Sequence, residues 1–370
     1  MNRKTFLKTA GALGAAAWLA NDALLGEAAP TDAVPAGALV RPARRAGRKF
    51  LNPVPTDTLV PGTTWQMLRE WVGGDQERAP SAPIGPFRTD PKTYETAPAT
   101  GLRVTWFGHS SSLLELDGVR LLLDPVWGER ASVSEHVGPK RFYPPTLALA
   151  ELPRLDAILI SHDHYDHLDA PTIRELAQTE VPFYCPLGVG AHLQDWGVAA
   201  ARITELNWLD EAMIGPVRLV TLPARHSSGR VTLPNQTLWA SFALIGPAHR
   251  VYYGADSGPC DALFAEIGGA YGPFDLTMLE IGAYGAQWPY IHLGPANAVR
   301  THQLLGGGLL LPIHWGLFNL AFHAWREPVE EVLRLAEAAR LSLLLPVPGA
   351  PVDVRPGGLV ARWWEDEPVT

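Results

Sequence analysis

One short stretch of the chain gathers side chains that bind divalent metals: Ser161-His162-Asp163-His164-Tyr165-Asp166-His167. Its three imidazoles and the carboxylate of Asp166 are the nitrogen and oxygen donors that zinc and similar ions accept. Donors spaced this closely in one tight loop can reach two adjacent ions. The stretch therefore predicts a metal site open to substrate, and the alternatives are a closed structural site with four ligands or a solvated polar turn.

Three further candidate ligands are remote in sequence, yet each follows a predicted strand: His226, Asp256 and His314. Polar side chains just past strand ends can converge along one edge of a sheet. With the loop they make five histidines and two aspartates, and seven donors suit two ions better than one. Asp256 alone, before Ser257-Gly258, would equally suit a turn.

The elements that must position these donors are apolar strands and interleaved helices. Strands are predicted at residues 102–107, 112–116, 119–123, 157–160, 202–206, 218–222, 238–245, 250–253, 276–281 and 309–313. Helices are predicted at about 170–179, 187–196, 261–268, 295–305 and 327–340. The pair Asp117-Gly118 between apolar runs predicts a tight hairpin. Hairpins first and helices later predict a layered α/β architecture.

Composition and charge restrict the class of protein. The 370 residues are 47% hydrophobic and 18% charged, which is typical of a globular chain with an ample core. After residue 50 the chain carries 22 Lys and Arg against 35 Asp and Glu, so its formal charge of −13 argues against nucleic acid as the main partner. Cys185 and Cys260 lie far apart and outside any CxxC pattern, which predicts buried free thiols.

Residues 1–28 predict an export signal. Arg3, Lys4 and Lys8 flank the start of an apolar stretch, residues 10–20, that is too short to span a bilayer. The order resembles a twin-arginine signal with Lys4 in place of the second arginine, and a frayed amphipathic helix is the alternative. The predicted location is the periplasm or cell envelope, or the cytoplasm if the signal does not function.

Three more segments complete the predicted organisation. Residues 29–100 are rich in Pro, Ala and Gly and predict a linker and wrapping segment, with Trp65 and Trp71 pinning part of it to the body. Residues 101–350 hold the predicted strands, helices and donors and are expected to form the main domain. Residues 351–370 are expected to form a C-terminal tail.

The motifs and their order resemble a known family. The pattern H-x-H-x-D-H at residues 162–167, followed by the three remote donors, is similar to the metallo-β-lactamase superfamily, which implies an αββα sandwich with a di-metal site at one edge. Over about residues 50–341 the chain more narrowly resembles the N-acyl-phosphatidylethanolamine-hydrolysing phospholipase D group. The matching motifs are residues 138–142 (GPKRF), 160–169 (ISHDHYDHLD), 272–276 (GPFDL), 281–284 (IGAY) and 313–316 (IHWG).

The resemblance implies a role for each donor. It implies one zinc site formed by His162, His164 and His226. It implies a second zinc site formed by Asp166, His167 and His314, with Asp256 bridging both ions. Iron or manganese stays open, because either can occupy a similar site.

The resemblance also implies that Tyr165 and His292 contact the phosphodiester substrate. The chain departs from the family pattern at Ser227, at residues 285–287 and in a shorter segment before His292. These departures lie near the expected substrate groove, so they concern the substrate rather than the metals.

The predicted chemistry is hydrolysis. Two zinc ions about 3.5–4 Å apart can share a water, lower its pKa towards ~7 and present a metal-bound hydroxide to phosphorus. Asp256 and Asp166 are the predicted catalytic carboxylates, and a protonated His292 would help the alkoxide to leave. The predicted function is a zinc-dependent phosphodiesterase of phospholipase D type, cleaving N-acylated or related glycerophospholipids.

Two other functions stay open. A lactonase or another ester or amide hydrolase would use the same di-metal site, and a non-catalytic envelope lipid-binding protein would use the same groove. A phospholipid or another small phosphodiester is the expected partner, with peripheral membrane contact and a homodimer both left open.

Several residues near the predicted site have two interpretations. His109 is either a loop histidine or a support for a ligand, and Asp124 is expected to hold the ligand loop by hydrogen bonds. Surface or helix positions are expected for His136, His192, His249, His302 and His323. Core anchors, or the lining of a groove for acyl chains, are the interpretations for Trp288, Tyr290, Trp315 and Phe318.

Overall fold

The computed structural model describes residues 38–134, 136–230 and 234–365. The predicted export signal lies outside these residues. Within them, no helix is both long and apolar enough to span a bilayer.

Short strands, most of them buried, make up most of the regular structure. In chain order the described strands are β1 (Arg44–Ala46), β2 (Lys49–Leu51), β3 (Leu102–Gly108), β4 (Ser111–Leu116), β5 (Val119–Leu123), β6 (Ala157–Leu159), β7 (Phe183–Pro186), β8 (Ile203–Leu206), β9 (Glu211–Ile214), β10 (Val217–Leu222), β11 (Ser241–Ile245), β12 (Arg250–Tyr253), β13 (Phe274–Glu280), β14 (Gly307–Ile313), β15 (Ser342–Leu345), β16 (Pro351–Asp353) and β17 (Leu359–Val360). The described α-helices are α1 (Thr64–Gly73), α2 (Ala170–Leu176), α3 (Val189–Asp195), α4 (Asp261–Tyr271), α5 (Gly294–Leu304) and α6 (Glu327–Ala339).

The strands form two large sheets. The first has the order β16-β3-β4-β5-β6-β7-β8, and the second has the order β17-β15-β14-β13-β12-β11-β10-β9. Strands β5 to β8 run parallel in the first sheet, and β12 to β15 run parallel in the second. The carboxyl ends of neighbouring parallel strands meet at one edge of a sheet. Loops that follow β6, β12, β13 and β14 can therefore approach one another.

Side chains that alternate between the two faces of a strand explain how the sheets and helices pack in layers. In β5, Val119, Leu121 and Leu123 join the core between the two sheets, whereas Leu122 faces the opposite way, into the core under α2 and α3. Helices α4, α5 and α6 cover the outer face of the second sheet with Phe264, among others. The predicted αββα sandwich is confirmed.

The predicted elements occur close to their expected places. The ends of the predicted strands and helices differ from the observed ends by at most three residues. The hairpin between β4 and β5 turns at Asp117 and Gly118, whose φ angles of 49° and 90° suit a tight two-residue turn. The structure also contains elements that were not predicted: helix α1 and strands β1, β2, β7, β9, β15, β16 and β17.

The segments on either side of the predicted domain pack into the sandwich. After residue 350, β16 pairs with β3 in one sheet and β17 pairs with β15 in the other, and Trp363 and Trp364 are buried. The residues expected to form a tail thus extend both sheets.

The wrapping segment is attached differently from the prediction. Trp71 packs edge-on against Phe322, with 6.1 Å between ring centroids. Trp65, however, is 69% exposed, and Met67 is the buried anchor of α1. The prediction for Trp65 is wrong, because helix α1 turns its Met67 side, not its Trp65 side, towards the body.

Candidate metal centre

All seven predicted donors converge on one edge of the sandwich. The ligand loop follows β6, His226 follows β10, Asp256 follows β12 and His314 directly follows β14. None of the seven is more than 6% exposed. Five imidazoles and two carboxylates thus share one buried space between the sheets.

The first half of the cluster consists of His162, His164 and His226. His164 Nδ1 lies 2.9 Å from His162 Nε2 and 3.2 Å from His226 Nε2. Asp256 Oδ2 lies 3.8 Å and 3.6 Å from the same two Nε2 atoms. Three ring nitrogens therefore point at a common position beside a carboxylate.

Hydrogen bonds on the far side of two rings fix which nitrogen carries the proton. Ser161 Oγ–H donates to Asp124, so His162 Nδ1–H donates to Ser161 Oγ at 2.9 Å. His226 Nδ1–H donates to the carbonyl of Ile291 at 2.8 Å. The Nε2 lone pairs of both rings consequently face the first half, as in histidines that bind metals.

The second half of the cluster consists of Asp166, His167 and His314. Asp166 Oδ2 lies 3.2 Å from His314 Nε2 and 3.5 Å from His167 Nε2. His109 Nε2–H donates to the same oxygen at 2.8 Å. His109 therefore contacts a predicted ligand, which supports the second of its two interpretations.

Asp256 reaches both halves. Its Oδ1 lies 3.2 Å from His167 Nε2, and its Oδ2 lies 3.1 Å from His314 Nε2, in addition to its contacts with the first half. This is the position that a bridging carboxylate requires.

Donor atoms without a partner lie at the centre of the cluster, as a divalent cation requires. Buried atoms that find no hydrogen-bond partner among the described residues include His167 Nε2, both ring nitrogens of His314 and Asp256 Oδ1. His167 Nδ1–H donates to Asp124, so in the neutral ring the Nε2 lone pair of His167 faces Asp256 Oδ1, and two acceptors at that distance repel unless a metal ion or a proton lies between them.

The two halves differ in their electrostatics. Burial lowers the pKa of His162 and of His226 well below the usual range, so both rings are neutral. Burial also acts to lower the pKa of His314, but the carboxylates of Asp256 and Asp166 outweigh it and raise that pKa to about 10. The second half thus attracts positive charge, while the first half offers neutral ligands.

Asp124 anchors the ligand loop as predicted. Its carboxylate is fully buried and accepts hydrogen bonds from Ser161 N at 2.7 Å, from His167 Nδ1 at 2.8 Å and from Tyr253 OH at 2.6 Å. Because it holds one ligand directly and His162 through Ser161, it orients both halves.

Backbone strain is concentrated around the cluster. Of the nine described non-glycine residues with a positive φ angle, five lie at strand ends or in loops near the donors: His109, Asp124, Ala255, Ala283 and His314. Such conformations cost about 1–3 kcal/mol each and persist only where the surroundings enforce them. The peptide N–H of His314 donates to the carbonyl of His109 at 2.8 Å, which joins the two sheets at the site.

Sequence reasoning missed Glu280. This residue ends β13 and is completely buried, and its Oε2 lies 2.5 Å from His292 Nδ1. The predicted catalytic His292 is itself 4% exposed, with Nδ1 4.0 Å from Asp256 Oδ2. A carboxylate at the end of a predicted strand was a signal that could have identified Glu280.

The wrapping segment contributes a second residue that the sequence did not reveal. Asn52 Nδ2 donates to the carbonyl of His226 at 2.7 Å, and the peptide N–H of His226 donates to Asn52 Oδ1 at 2.9 Å. The backbone of one donor in the first half is therefore clamped from 174 residues away.

The predicted substrate contacts lie beside the cluster. Tyr165 packs against Arg230, and its ring centroid lies 4.0 Å from the guanidinium carbon of that residue. At the positions that depart from the family pattern, Ser227 and Gln287 are buried. The carbonyl of Gln287 accepts a hydrogen bond from Val60 N at 2.7 Å, so this stretch is tied to the wrapping segment.

The aromatic residues near the site do not form one acyl groove. Trp315 stacks on Trp106 at 5.4 Å within the core, and Trp288 packs with Met67 in a separate cluster. Tyr290 is 42% exposed beside Arg225. The core-anchor interpretation is therefore correct for both tryptophans.

The remaining histidines are mostly engaged in local contacts. His249 Nδ1 lies 2.6 Å from Asp117 Oδ1, and His192 Nε2, on α3, lies 3.4 Å from Asp163 Oδ2. His302, on α5, is buried against Thr277. None of these rings belongs to the cluster.

Comparison with known proteins identifies the family. A family model described as "Beta-lactamase superfamily domain" matches residues 119–315. A protein of Mycobacterium tuberculosis whose name is "Uncharacterized protein" is 49% identical over 299 residues, 80% of this chain and 79% of its own length. N-acyl-phosphatidylethanolamine-hydrolyzing phospholipase D 1 of Caenorhabditis elegans is 37% identical over 252 residues, 65% of this chain and 71% of its own length.

A solved structure supports the fold. A metallo hydrolase from the archaeon Ignicoccus hospitalis aligns with a TM-score of 0.52 over 68% of this chain and 97% of its own, at 23% identity. The family resemblance of the motifs is confirmed, and the buried His and Asp clusters are able to bind metal. The chain belongs to the beta-lactamase superfamily and is a metal-dependent hydrolase of that superfamily.

Proposed function

We propose that this protein is a zinc-dependent phosphodiesterase of phospholipase D type that acts on N-acylated or related glycerophospholipids. The observation that carries the proposal is the seven-donor cluster in which Asp256 reaches both halves. The relative from Caenorhabditis elegans, whose name states hydrolysis of N-acyl-phosphatidylethanolamine, supports the choice of substrate class.

The proposed ligands follow the two halves. His162, His164 and His226 would hold one zinc ion, and Asp166, His167 and His314 would hold the other, with Asp256 shared. Nitrogen and carboxylate donors without a thiolate suit zinc, although iron and manganese accept the same set. When bound there, the metals would lower the pKa of water and stabilise negative charge on phosphoryl oxygens.

The chain's own residues supply hydrogen-bond acceptors, a proton donor and a wall for the substrate. Asp256 and Asp166 place carboxylate oxygens where they can accept a hydrogen bond from an attacking water. His292 stands beside Asp256 and can give a proton to the leaving alkoxide. Tyr165, backed by Arg230, forms a wall next to the ligand loop where a substrate can lie.

A substrate panel tests this proposal. Zinc-loaded protein is assayed with N-acyl-phosphatidylethanolamine, bis-p-nitrophenyl phosphate, a set of lactones and a β-lactam. We expect phosphatidate and an N-acylethanolamine from the first substrate, with turnover that requires metal. Turnover of lactones alone would replace the proposal with the lactonase alternative, and binding of lipid without any turnover would favour the non-catalytic alternative.

The proposed location is the cell envelope, reached through the twin-arginine-like segment at residues 1–28. A phospholipid substrate would then be available at a membrane surface. Fractionation and sequencing of the mature N-terminus test the location. Recovery in the cytoplasm with Met1 intact would contradict it.

A further inference from the structure

Glu280 joins two loops of the second sheet, the loop after β12 and the loop between β13 and α5. Its Oε1 accepts hydrogen bonds from Ser257 N at 2.7 Å and from Leu293 N at 3.1 Å, and its Oε2 accepts from His292 Nδ1–H at 2.5 Å. The side chain is completely buried. A buried carboxylate costs free energy unless its oxygens are satisfied, and here every contact serves a residue next to the metal cluster.

These contacts distinguish Glu280 from the predicted ligands. Glu280, Asp256, His292 and His314 each place a donor atom within 4.8 Å of the others, so the group could in principle hold a cation. Both oxygens of Glu280, however, already accept hydrogen bonds from the protein. Asp256 Oδ1 and His314 Nε2, in contrast, have no such partner among the described residues. The contacts therefore favour a role for Glu280 in orientation over metal ligation.

The hydrogen bond to Glu280 decides which face of His292 is available. Because Nδ1–H points at Glu280, the opposite nitrogen, Nε2, is left for another partner. The ring lies against the cluster, with centroids 5.2 Å from His226 and 5.3 Å from His314. The arrangement of carboxylate, imidazole and reacting centre is the one by which an acidic residue fixes the orientation of a catalytic histidine.

We propose that Glu280 is a positioning residue that holds His292 with its Nε2 towards the leaving oxygen of the substrate. The proposal rests on the proposed phosphodiesterase function. In the reaction, the oxygen of a water forms a bond to phosphorus, and the bond between phosphorus and the head-group oxygen breaks. The proton on His292 Nε2 goes to that departing oxygen, which leaves as an alcohol, and the proton lost by the water returns through solvent to the imidazole.

Proton delivery by His292 should matter only for a substrate with a poor leaving group. An alkoxide is a poor leaving group and needs a proton as the bond breaks, whereas p-nitrophenolate leaves without one. N-acyl-phosphatidylethanolamine and phosphatidyl-p-nitrophenol share the phosphatidyl part and differ in the leaving group. Comparing them separates proton delivery from metal chemistry, on which both depend equally.

The test measures kcat and KM for both substrates with the zinc-loaded E280Q variant, which keeps the size of the side chain and removes its charge. We expect kcat for N-acyl-phosphatidylethanolamine to fall about 10²-fold, and kcat for phosphatidyl-p-nitrophenol to change less than about threefold. H292A is expected to show the same pattern. The double variant should be no slower than H292A alone, because residues that act as a unit are not additive.

A matched control comes from the far side of the molecule. Asp117 Oδ1 faces His249 Nδ1 at 2.6 Å, a carboxylate–imidazole pair like that of Glu280 and His292. Asp117→Asn is expected to leave the ratio of the two rates unchanged. Metal content, measured by mass spectrometry, should stay at the wild-type value in E280Q and in the control.

The outcomes are distinct. Equal losses on both substrates, or a loss of metal in E280Q, would overturn the positioning role, because they would show a merely structural contribution. If E280Q does not fold, H292A provides the test. Equal losses of kcat on both substrates in H292A would overturn the role, whereas a loss on N-acyl-phosphatidylethanolamine with kcat for phosphatidyl-p-nitrophenol retained would support it. If the wild-type protein turns over neither phosphodiester, the proposed function fails instead.

Discussion

The two halves of the donor cluster hold their imidazoles in different electrostatic environments. In the first half, the Nε2 atoms of His162 and His226 and the Nδ1 of His164 face one another, and burial keeps the rings neutral. In the second half, Asp166 and Asp256 give His314 a pKa of about 10, so a proton can take the place of a cation.

This difference predicts how each half behaves without metal. Neutral imidazoles offer lone pairs to a cation without first losing a charge-bearing proton, whereas carboxylates beside imidazoles can be neutralised by protons from water. A cation that enters the first half therefore has no positive charge to displace. The second half can keep its geometry while its rings are protonated.

The largest effect is expected from the residue that both halves share. Asp256→Asn removes a negative charge from the bridging position, and turnover should fall on the order of 10³-fold, with loss of bound metal. Steady-state kinetics and metal analysis measure both quantities. Asp261→Asn is the control, because Asp261 is exposed and paired with Arg300 at 3.2 Å, and it should leave both unchanged. Wild-type turnover in Asp256→Asn would contradict the shared role.

Removal of metal at different pH values sharpens the comparison. The folded pKa of His314 is raised to about 10, so its contribution to the stability of the metal-free protein is complete below about pH 6.5 and is lost as the pH rises towards about 10. Urea unfolding of chelated protein at pH 7 and pH 9 measures this loss.

Zinc affinity should change in the opposite direction, because zinc must displace the protons of the second half. Calorimetric titration in buffers of different ionisation enthalpy counts the protons released at neutral pH. We expect release on filling the second half and none on filling the first half. Equal release from both sites would remove the distinction between the halves.

Asp124→Asn tests the support of the second half. With the amide nitrogen of asparagine in place of Oδ2, the N–H group would face the donors of His167 and Tyr253, which costs about 1–3 kcal/mol for a buried group left unsatisfied. Zinc affinity should fall about 10–100-fold. Competition with a chromogenic chelator measures it, and an unchanged affinity would show that the loop keeps its shape without Asp124.

The smallest effect is expected at the first half, from Asn52→Ala. The variant loses two hydrogen bonds to the backbone of His226, which should lower the free energy of unfolding by about 1–2 kcal/mol. Chemical denaturation measures the change. Asn235 offers a matched control, since its side chain accepts a hydrogen bond from Ser228 N in the same region without touching a donor of the cluster. Both variants are expected to unfold earlier, but only Asn52→Ala should weaken zinc binding.

The sequence predicts the donors better than it predicts their supports. Metal-binding residue types at strand ends, such as Asp256 and His314, are visible because strand periodicity places them. Asn52 cannot be recognised, since its role depends on a contact with His226 made only in the folded chain. The prediction that Trp65 anchors the wrapping segment is wrong, because a large apolar residue in a short helix is buried only if its side of the helix faces the body. Glu280 could be predicted in part, because its position at the end of a strand is visible in the sequence but its hydrogen-bond partners are not.

The seven donors are spread over much of the chain, so they are not synthesised together. The donors extend from residue 162 to residue 314, and buried tryptophans at 363 and 364 pack beneath Trp315. A ribosome that has released only the ligand loop has produced four donors without their three remote partners. The seven-donor set is therefore complete only after residue 314 has been synthesised, and a chain that stops before residue 314 would carry an incomplete second half.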